Sequence, residues 1–263
     1  MGDLPHGARG RRVARLGRPD RPADAAVPVG QPPNSSAIWA IGAFGIGGWV
    51  RASRWWVPAR QFVYGRSALG RPEVLAAADW AATYSGGTRV VPIQERLDSA
   101  AAIERLGDGV DIVVCAIDSP PNVELMVNEA CFALDVPFVH GGLNYSTLVH
   151  WSVDPGRAPC RRCLELHRDD EQLTLPTVLR QDPFIATPPV NPATGPIVQL
   201  LCGLMSVEIV RYLTGIEPPV AAATYRMIEL ADGLATATAP WHHHPDCPLC
   251  AKVADRVPAE VAG

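Results

Sequence analysis

Two short motifs, Cys160-Arg161-Arg162-Cys163 and Cys247-Pro248-Leu249-Cys250, stand far apart in the chain. Each C-x-x-C can supply two corners of a tetrahedral zinc site, and two such pairs supply all four. A chain that uses them together must fold residue 160 against residue 250, so that zinc staples a late segment onto the middle of the sequence. Neither pair is followed by His, which removes c-type haem attachment, and a redox C-x-x-C ordinarily comes singly. The competing reading is buried thiols acting as small hydrophobes. Ala158-Pro159 and His244-Pro245-Asp246, which precede the pairs, point instead to turns. A filled four-cysteine site has no open coordination position, so its metal holds structure and the chemistry lies elsewhere. His242, His243 and His244 could lend a substitute ligand, but with four thiolates in hand they read as a solvated run.

With 263 residues, 48% of them hydrophobic, the chain can bury the core of one large domain. A net charge of -4 gives no electrostatic footprint for nucleic acid. No apolar run stands out as the roughly 20 residues that cross a bilayer, so no membrane is expected. Cys115, Cys131 and Cys202 lie in apolar segments while the other four read as ligands, a pattern that suits a reducing cytoplasm. Met1 to Asn34 lacks the apolar stretch of a secretory signal. Arginines and prolines fill that region, and residues 1–36 read as a disordered tail. A basic arm that touches a partner and a misplaced translational start are the alternatives. Residues 251–263 read as a flexible C-terminal tail.

From Ala37 the pattern changes to strand, glycine loop and helix: Ala37-Ile38-Trp39-Ala40-Ile41, then Gly42-Ala43-Phe44-Gly45-Ile46-Gly47-Gly48, then Trp49 to Trp56. Val74 to Tyr84 reads as a helix, Thr88 to Ile93 as a strand, Ala100 to Leu106 as a short helix and Ile112 to Ile117 as a buried strand. Asn122 to Leu134 reads as a helix entered through Pro120 and Pro121, and Val136 to Val139 as a strand ending at His140-Gly141-Gly142. Glu165 to Ala193 reads as a long loop. Ile197, Leu200, Leu201, Leu204, Val207 and Val210 recur at helical spacing and define a core helix stopped by Thr214-Gly215. Ala221 to Leu230 is a further strand. Helices alternating with short apolar strands specify an α/β protein with a parallel sheet and a ligand crevice at the strands' carboxyl ends.

Gly42, Gly45 and Gly47 after a strand offer backbone donors to a phosphate at a helix N-terminus. The alternative is a tight turn that needs positive φ. A dinucleotide site would need an acid about 20 residues on, and Trp55 to Tyr64 holds neither Asp nor Glu, which disfavours hydride transfer. Asp118 follows the buried strand, where it could hold Mg2+ on a nucleotide or cap the next helix.

Taken together, Gly42 to Gly47, Arg60-Gln61, Gly70-Arg71-Pro72, Asp111 to Asp118, Pro137 to Gly142, the paired cysteines and the helix ending at Leu213-Thr214-Gly215 resemble the ThiF/MoeB/HesA-type adenylyltransferases, relatives of the ubiquitin-activating enzymes. The likeness runs over residues 37–250. It implies a Rossmann-like, largely parallel sheet with helices on both faces, a C-terminal lobe stapled by zinc on four cysteines and commonly a homodimer. It also implies an activity: ATP binds at the glycine loop, and the C-terminal carboxylate of a peptide or carrier protein becomes an acyl-adenylate. Carried over by residue, Gly42, Gly45 and Gly47 would line the nucleotide, Arg60 would contact phosphate, Gln61 would neighbour the nucleotide, Asp118 would bind Mg2+, and Cys160, Cys163, Cys247 and Cys250 would bind zinc. Arg60 and Asp118 would be the catalytic pair. Phe44 replaces a loop glycine, Glu73 replaces a phosphate-binding lysine, and Gly48 to Ala59 is too short for the family's helix, strand and ribose-binding acids. Glu165 to Thr194 holds no acceptor cysteine, and Cys202 reads as core. A catalytically inactive, zinc-stapled scaffold is therefore the alternative function, and a damaged reading frame ahead of residue 58 is a third.

Overall fold

Six strands lie side by side in chain order in a computed structural model that describes residues 38–41, 63, 65–84, 89–117, 120–144, 146–174 and 194–250. These residues belong to one unit, 36–263. Strands β1 (Ile38–Ile41), β2 (Ile112–Cys115) and β3 (Phe138–Asn144) run parallel, with Ala40 beside Val114 and Val114 beside Val139. Ile112, Val113 and Cys115 are buried, which is why β2 reads as an unbroken apolar run. Strands β4 (Thr147–Val153), β5 (Thr224–Glu229) and β6 (Ala235–Pro240) extend the sheet antiparallel, β4 folding back on β3 with His140 opposite Trp151. The Rossmann-like architecture stands, and its sheet is mixed.

Helices α1 (Glu73–Ala82), α2 (Ala100–Gly107), α3 (Val123–Leu134), α4 (Arg161–Thr174) and α5 (Gly195–Thr214) complete the described elements. Ser99 caps α2, its hydroxyl accepting the Ala102 N–H at 3.3 Å. Pro196 starts α5, and Gly215 at φ 62° ends it. One sheet face packs Val113, Cys115, Phe138 and Trp151 against Ile103 of α2, Val127 and Cys131 of α3 and Cys163 of α4. The other packs Ile112, Val139 and Leu148 against Leu201 and Met205 of α5. There a Cβ on Gly141 would come within 2.5 Å of Met205 Sδ and 3.1 Å of Leu201 Cδ1, so glycine sets how closely α5 sits.

Several sequence expectations change. Residues 89–93 form no strand, and Val90, Val91 and Ile93 are exposed. Among the described residues no strand lies outside β1 to pair with them, and β-propensity without a ladder partner is weak. The expected loop from Glu165 begins as α4, whose Leu164 and Leu166 pack on the core. Strands β4 and β6 were not expected at all. Helix α5 buries only one side: Leu200, Val207, Val210 and Cys202 are exposed, so the core reading of Cys202 is wrong. With 20 residues and a mean hydropathy of 1.5, α5 also has the length and apolarity of a membrane span, contrary to the sequence reading. Its buried Glu208, hydrogen-bonded to Ser152 of β4, ties it to the sheet instead.

Candidate functional site

The sheet brings the two cysteine pairs together. Cys160 lies just ahead of α4, Cys163 is in its first turn, and Cys247 and Cys250 return to them after β6. Their four sulfurs lie within 4.8 Å of one another. Cys160 Sγ is 3.4 Å from Cys247 Sγ and 3.8 Å from Cys163 Sγ, and Cys163 Sγ is 3.5 Å from Cys250 Sγ. Disulfides would bring sulfurs to about 2.05 Å. Tetrahedral thiolates at about 2.3 Å from zinc stand about 3.8 Å apart, so the set fits a four-coordinate soft metal. Turns at residues 155–157 and 245–246 precede the two pairs, as the prolines suggest, but contrary to expectation Cys160, Cys163 and Cys247 are buried in the main core. Crowding divides the thiols. Hydrogen bonds with Cys160 and Cys250 hold Cys163 far below the ordinary thiol range, while hydrogen bonding to Cys163 and Cys250 pushes Cys160 up. Four clustered sulfurs of this kind ionise together only with a cation between them.

Neighbouring groups fix the cysteine backbone. Trp241 Nε1 donates to the Cys160 carbonyl at 3.1 Å, and the Arg161 N–H donates to Asn128 Oδ1 at 2.9 Å. Arg161 Nε donates to Glu124 Oε2 at 2.8 Å, and Arg161 also pairs with Glu165. Burial opposes the Arg161 charge, but Tyr225, Glu124 and Glu165 outweigh it and raise its pKa. His244 is buried, its Nδ1 accepting the Asp246 N–H at 3.1 Å and its Nε2 donating to Asp170 Oδ2 at 2.9 Å. Both ring nitrogens are engaged, so the histidine run supplies no substitute ligand through His244. Sequence reasoning missed the roles of Glu124, Asn128 and Trp241, which lie far from the first cysteine pair in the chain; the aromatic just ahead of the second pair was the available signal.

The nucleotide-site expectations on Gly42, Gly45, Gly47, Arg60, Gln61 and Asp118 lie outside the described residues, as does Phe44. Among the described residues, β1, β2 and β3 end on the same side, where open α/β sheets bind ligands. Helix α3 starts at Val123 with Asn122 at its N-cap. Glu73 opens α1 after Pro72, and burial raises its carboxyl pKa. Arg71 Nη2 meets Asp79 Oδ2 at 2.5 Å.

A parallel β1–β3 core extended by antiparallel strands and closed by four cysteines defines the class: a Rossmann-like α/β domain with a cysteine cluster that could hold a metal ion. The model of the ThiF family matches residues 55–249, and the chain belongs to that family. No curated protein matches it in sequence. Among solved structures, microcin C7 biosynthetic enzyme MccB in complex with N-formylated MccA superimposes with a TM-score of 0.67 at 14% identity, over 82% of this chain and 68% of that one. MccB from E. coli with ATP gives 0.65 at 14% identity, over 83% and 68%. Selenomethionine PaaA gives 0.58 at 16% identity, over 78% and 72%. Identities this low define a shared fold.

Proposed function

We propose that this chain is an adenylyltransferase of the ubiquitin-like-modifier-activating type that uses MgATP to activate the C-terminal carboxylate of a peptide or carrier protein. The observation that carries this reading is family membership across residues 55–249, joined to the likeness to MccB, one of whose structures holds ATP and another N-formylated MccA. In such a reaction a carboxylate oxygen attacks the α-phosphorus of ATP. The bond from that phosphorus to the bridging oxygen breaks, and pyrophosphate leaves an acyl-adenylate. The protein's task is to hold two anions in line and offset their charge. Gly42, Gly45 and Gly47 would line the nucleotide, Gln61 would flank it, Arg60 would meet the phosphates, and Asp118 would hold Mg2+. When bound, Mg2+ supplies charge screening at the phosphates. Cys160, Cys163, Cys247 and Cys250 would hold zinc, with no part in the chemistry.

The exposed apolar side of α5, where Leu200, Val207 and Val210 are 39%, 52% and 50% exposed, supports a homodimer across that face. One observation favours a second reading, an inactive scaffold: the Glu73 carboxylate stands where the family resemblance expects a phosphate-binding lysine. Calorimetric titration of MgATP and pyrophosphate exchange with candidate peptides separate the two. Exchange that depends on a peptide carboxylate supports the enzyme. Absence of MgATP binding, restored by Glu73→Lys, supports the scaffold.

A further inference from the structure

Beside the metal centre, side chains from two elements converge on one carboxylate of a third. Glu124 is in the first turn of α3, the helix that follows the carboxyl end of β2. Its Oε2 accepts from Arg161 Nε at 2.8 Å, and its Oε1 lies 3.3 Å from His140 Nε2 on β3. Arg161 is the residue next to the ligand Cys160, and its guanidinium sits 5.7 Å from the centroid of the Trp151 ring. The His140 imidazole stacks on the same ring at 5.0 Å. One turn further along α3, Asn128 Oδ1 accepts the Arg161 N–H at 2.9 Å. The Asn128 side chain is buried, and its Nδ2 has no hydrogen-bond partner among the described residues, so the residue is placed to hold the Arg161 backbone and not to complete its own bonding.

We propose that Glu124 is a positioning residue: through Arg161 and His140 it joins the metal centre to the head of α3, so that metal occupancy sets the order of that head. The coupling follows from geometry. The side chains of Arg161 and His140 are each 9% exposed, so neither can swing into water to find another partner. A buried guanidinium with a fixed fork demands a carboxylate in one place. Its origin in turn depends on Cys160, whose carbonyl and following N–H are both tied, one to Trp241 and the other to Asn128. Metal ligation fixes the sulfur of that same residue. Loss of the metal frees the start of α4, and the guanidinium then no longer holds the first turn of α3. The inference rests on the adenylyltransferase reading only for its consequence, that the ordered head frames the crevice at the strands' carboxyl ends.

The test is hydrogen exchange on the full chain, zinc-loaded and chelator-stripped, for wild type, Glu124→Gln and the apolar pair Glu124→Leu with Arg161→Met. The amides of Val123, Leu125 and Met126 are hydrogen-bonded to Pro120 or Asn122 and report the head of α3. Stripping zinc from wild type is expected to speed their exchange at least about tenfold. Glu124→Gln should exchange as fast while still carrying one zinc per chain, and should lose zinc to a competing chelator about 10–100-fold more readily. The apolar pair, which leaves no unpaired buried charge, should restore cooperative thermal unfolding but not the zinc-dependent protection. Wild-type protection of these amides in loaded Glu124→Gln would overturn the proposal, and so would zinc-dependent protection in the apolar pair. If stripping unfolds wild type throughout, the loaded variants still decide. MgATP titrations of the same samples are read separately. Failure of wild type to bind sinks the nucleotide reading and leaves the exchange result standing.

Discussion

Glu208→Gln replaces one atom and removes one charge where α5 holds the crossover into β5. The Glu208 side chain is 1% exposed. Its Oε1 accepts from the Ala221 N–H at 2.8 Å and the Ser152 hydroxyl at 3.1 Å; its Oε2 accepts from the Val220 N–H at 3.2 Å and lies 3.5 Å from Arg211 Nη1. If the new amide keeps its oxygen at the Oε1 position, two bonds survive but lose their charge assistance, about 1 kcal/mol each. The amide nitrogen then faces the Val220 N–H, so that bond is lost outright, about 1.5–3 kcal/mol. Solvent around the exposed Val220 offsets part of this, and the expected loss is about 2–4 kcal/mol. For a domain of this size, with a urea slope of about 3 kcal/mol/M, the unfolding midpoint falls by about 1 M. Equilibrium urea unfolding of metal-loaded protein, followed by circular dichroism, measures it. A loss below about 0.5 kcal/mol at unchanged slope would refute the view that this carboxylate anchors the crossover.

Further outcomes follow from other parts of the structure. Burial lowers the His150 pKa below its ordinary 6.5; Glu208 opposes the shift and Arg226 adds to it. The neutral ring then contributes stability above about pH 6.5 that is lost as pH falls towards the folded-state pKa, at up to about 1.4 kcal/mol per pH unit. His150→Gln should flatten that acid-side slope in urea unfolding at pH 7.5 and 5.5, and an unchanged slope would contradict the assignment. Val207→Asp with Val210→Asp should convert a dimer to monomer in sedimentation velocity while leaving thermal unfolding of the monomer intact; a wild-type monomer would remove the dimer proposal. Metal analysis of wild type should find one zinc per chain, and Cys247→Ser should lower zinc affinity and the unfolding temperature together. Equal melting of loaded and stripped wild type would show that the metal does not hold the lobe.

What could be read from the sequence was local. The apolar spacing from Ile197 to Val210 and the Gly215 stop carry their meaning within a few helical turns, and α5 was placed from them. The cysteine pairs were legible because ligand spacing is itself local. Strand β4 was hidden because it buries His150 and Ser152, which break the apolar pattern, and Ser152 is satisfied by Glu208, 56 residues away. Strand β6 is exposed throughout and carries no apolar signal of burial; it exists through its ladder with β5. Helix α4 looked like loop because its polar residues pair with each other, as Arg161 and Arg168 do with Glu165. The one-sidedness of α5 was beyond periodicity, since its apolar residues surround the helix and only the sheet decides which are covered.

Calorimetric titration of MgATP into zinc-loaded wild type, with Asp118→Ala beside it, goes most directly to whether this fold still works as an adenylyltransferase. Saturable binding that the substitution abolishes is the expected result. A flat titration of well-folded, zinc-loaded wild type would contradict it and leave a metal-stapled ThiF domain that holds a partner without activating it.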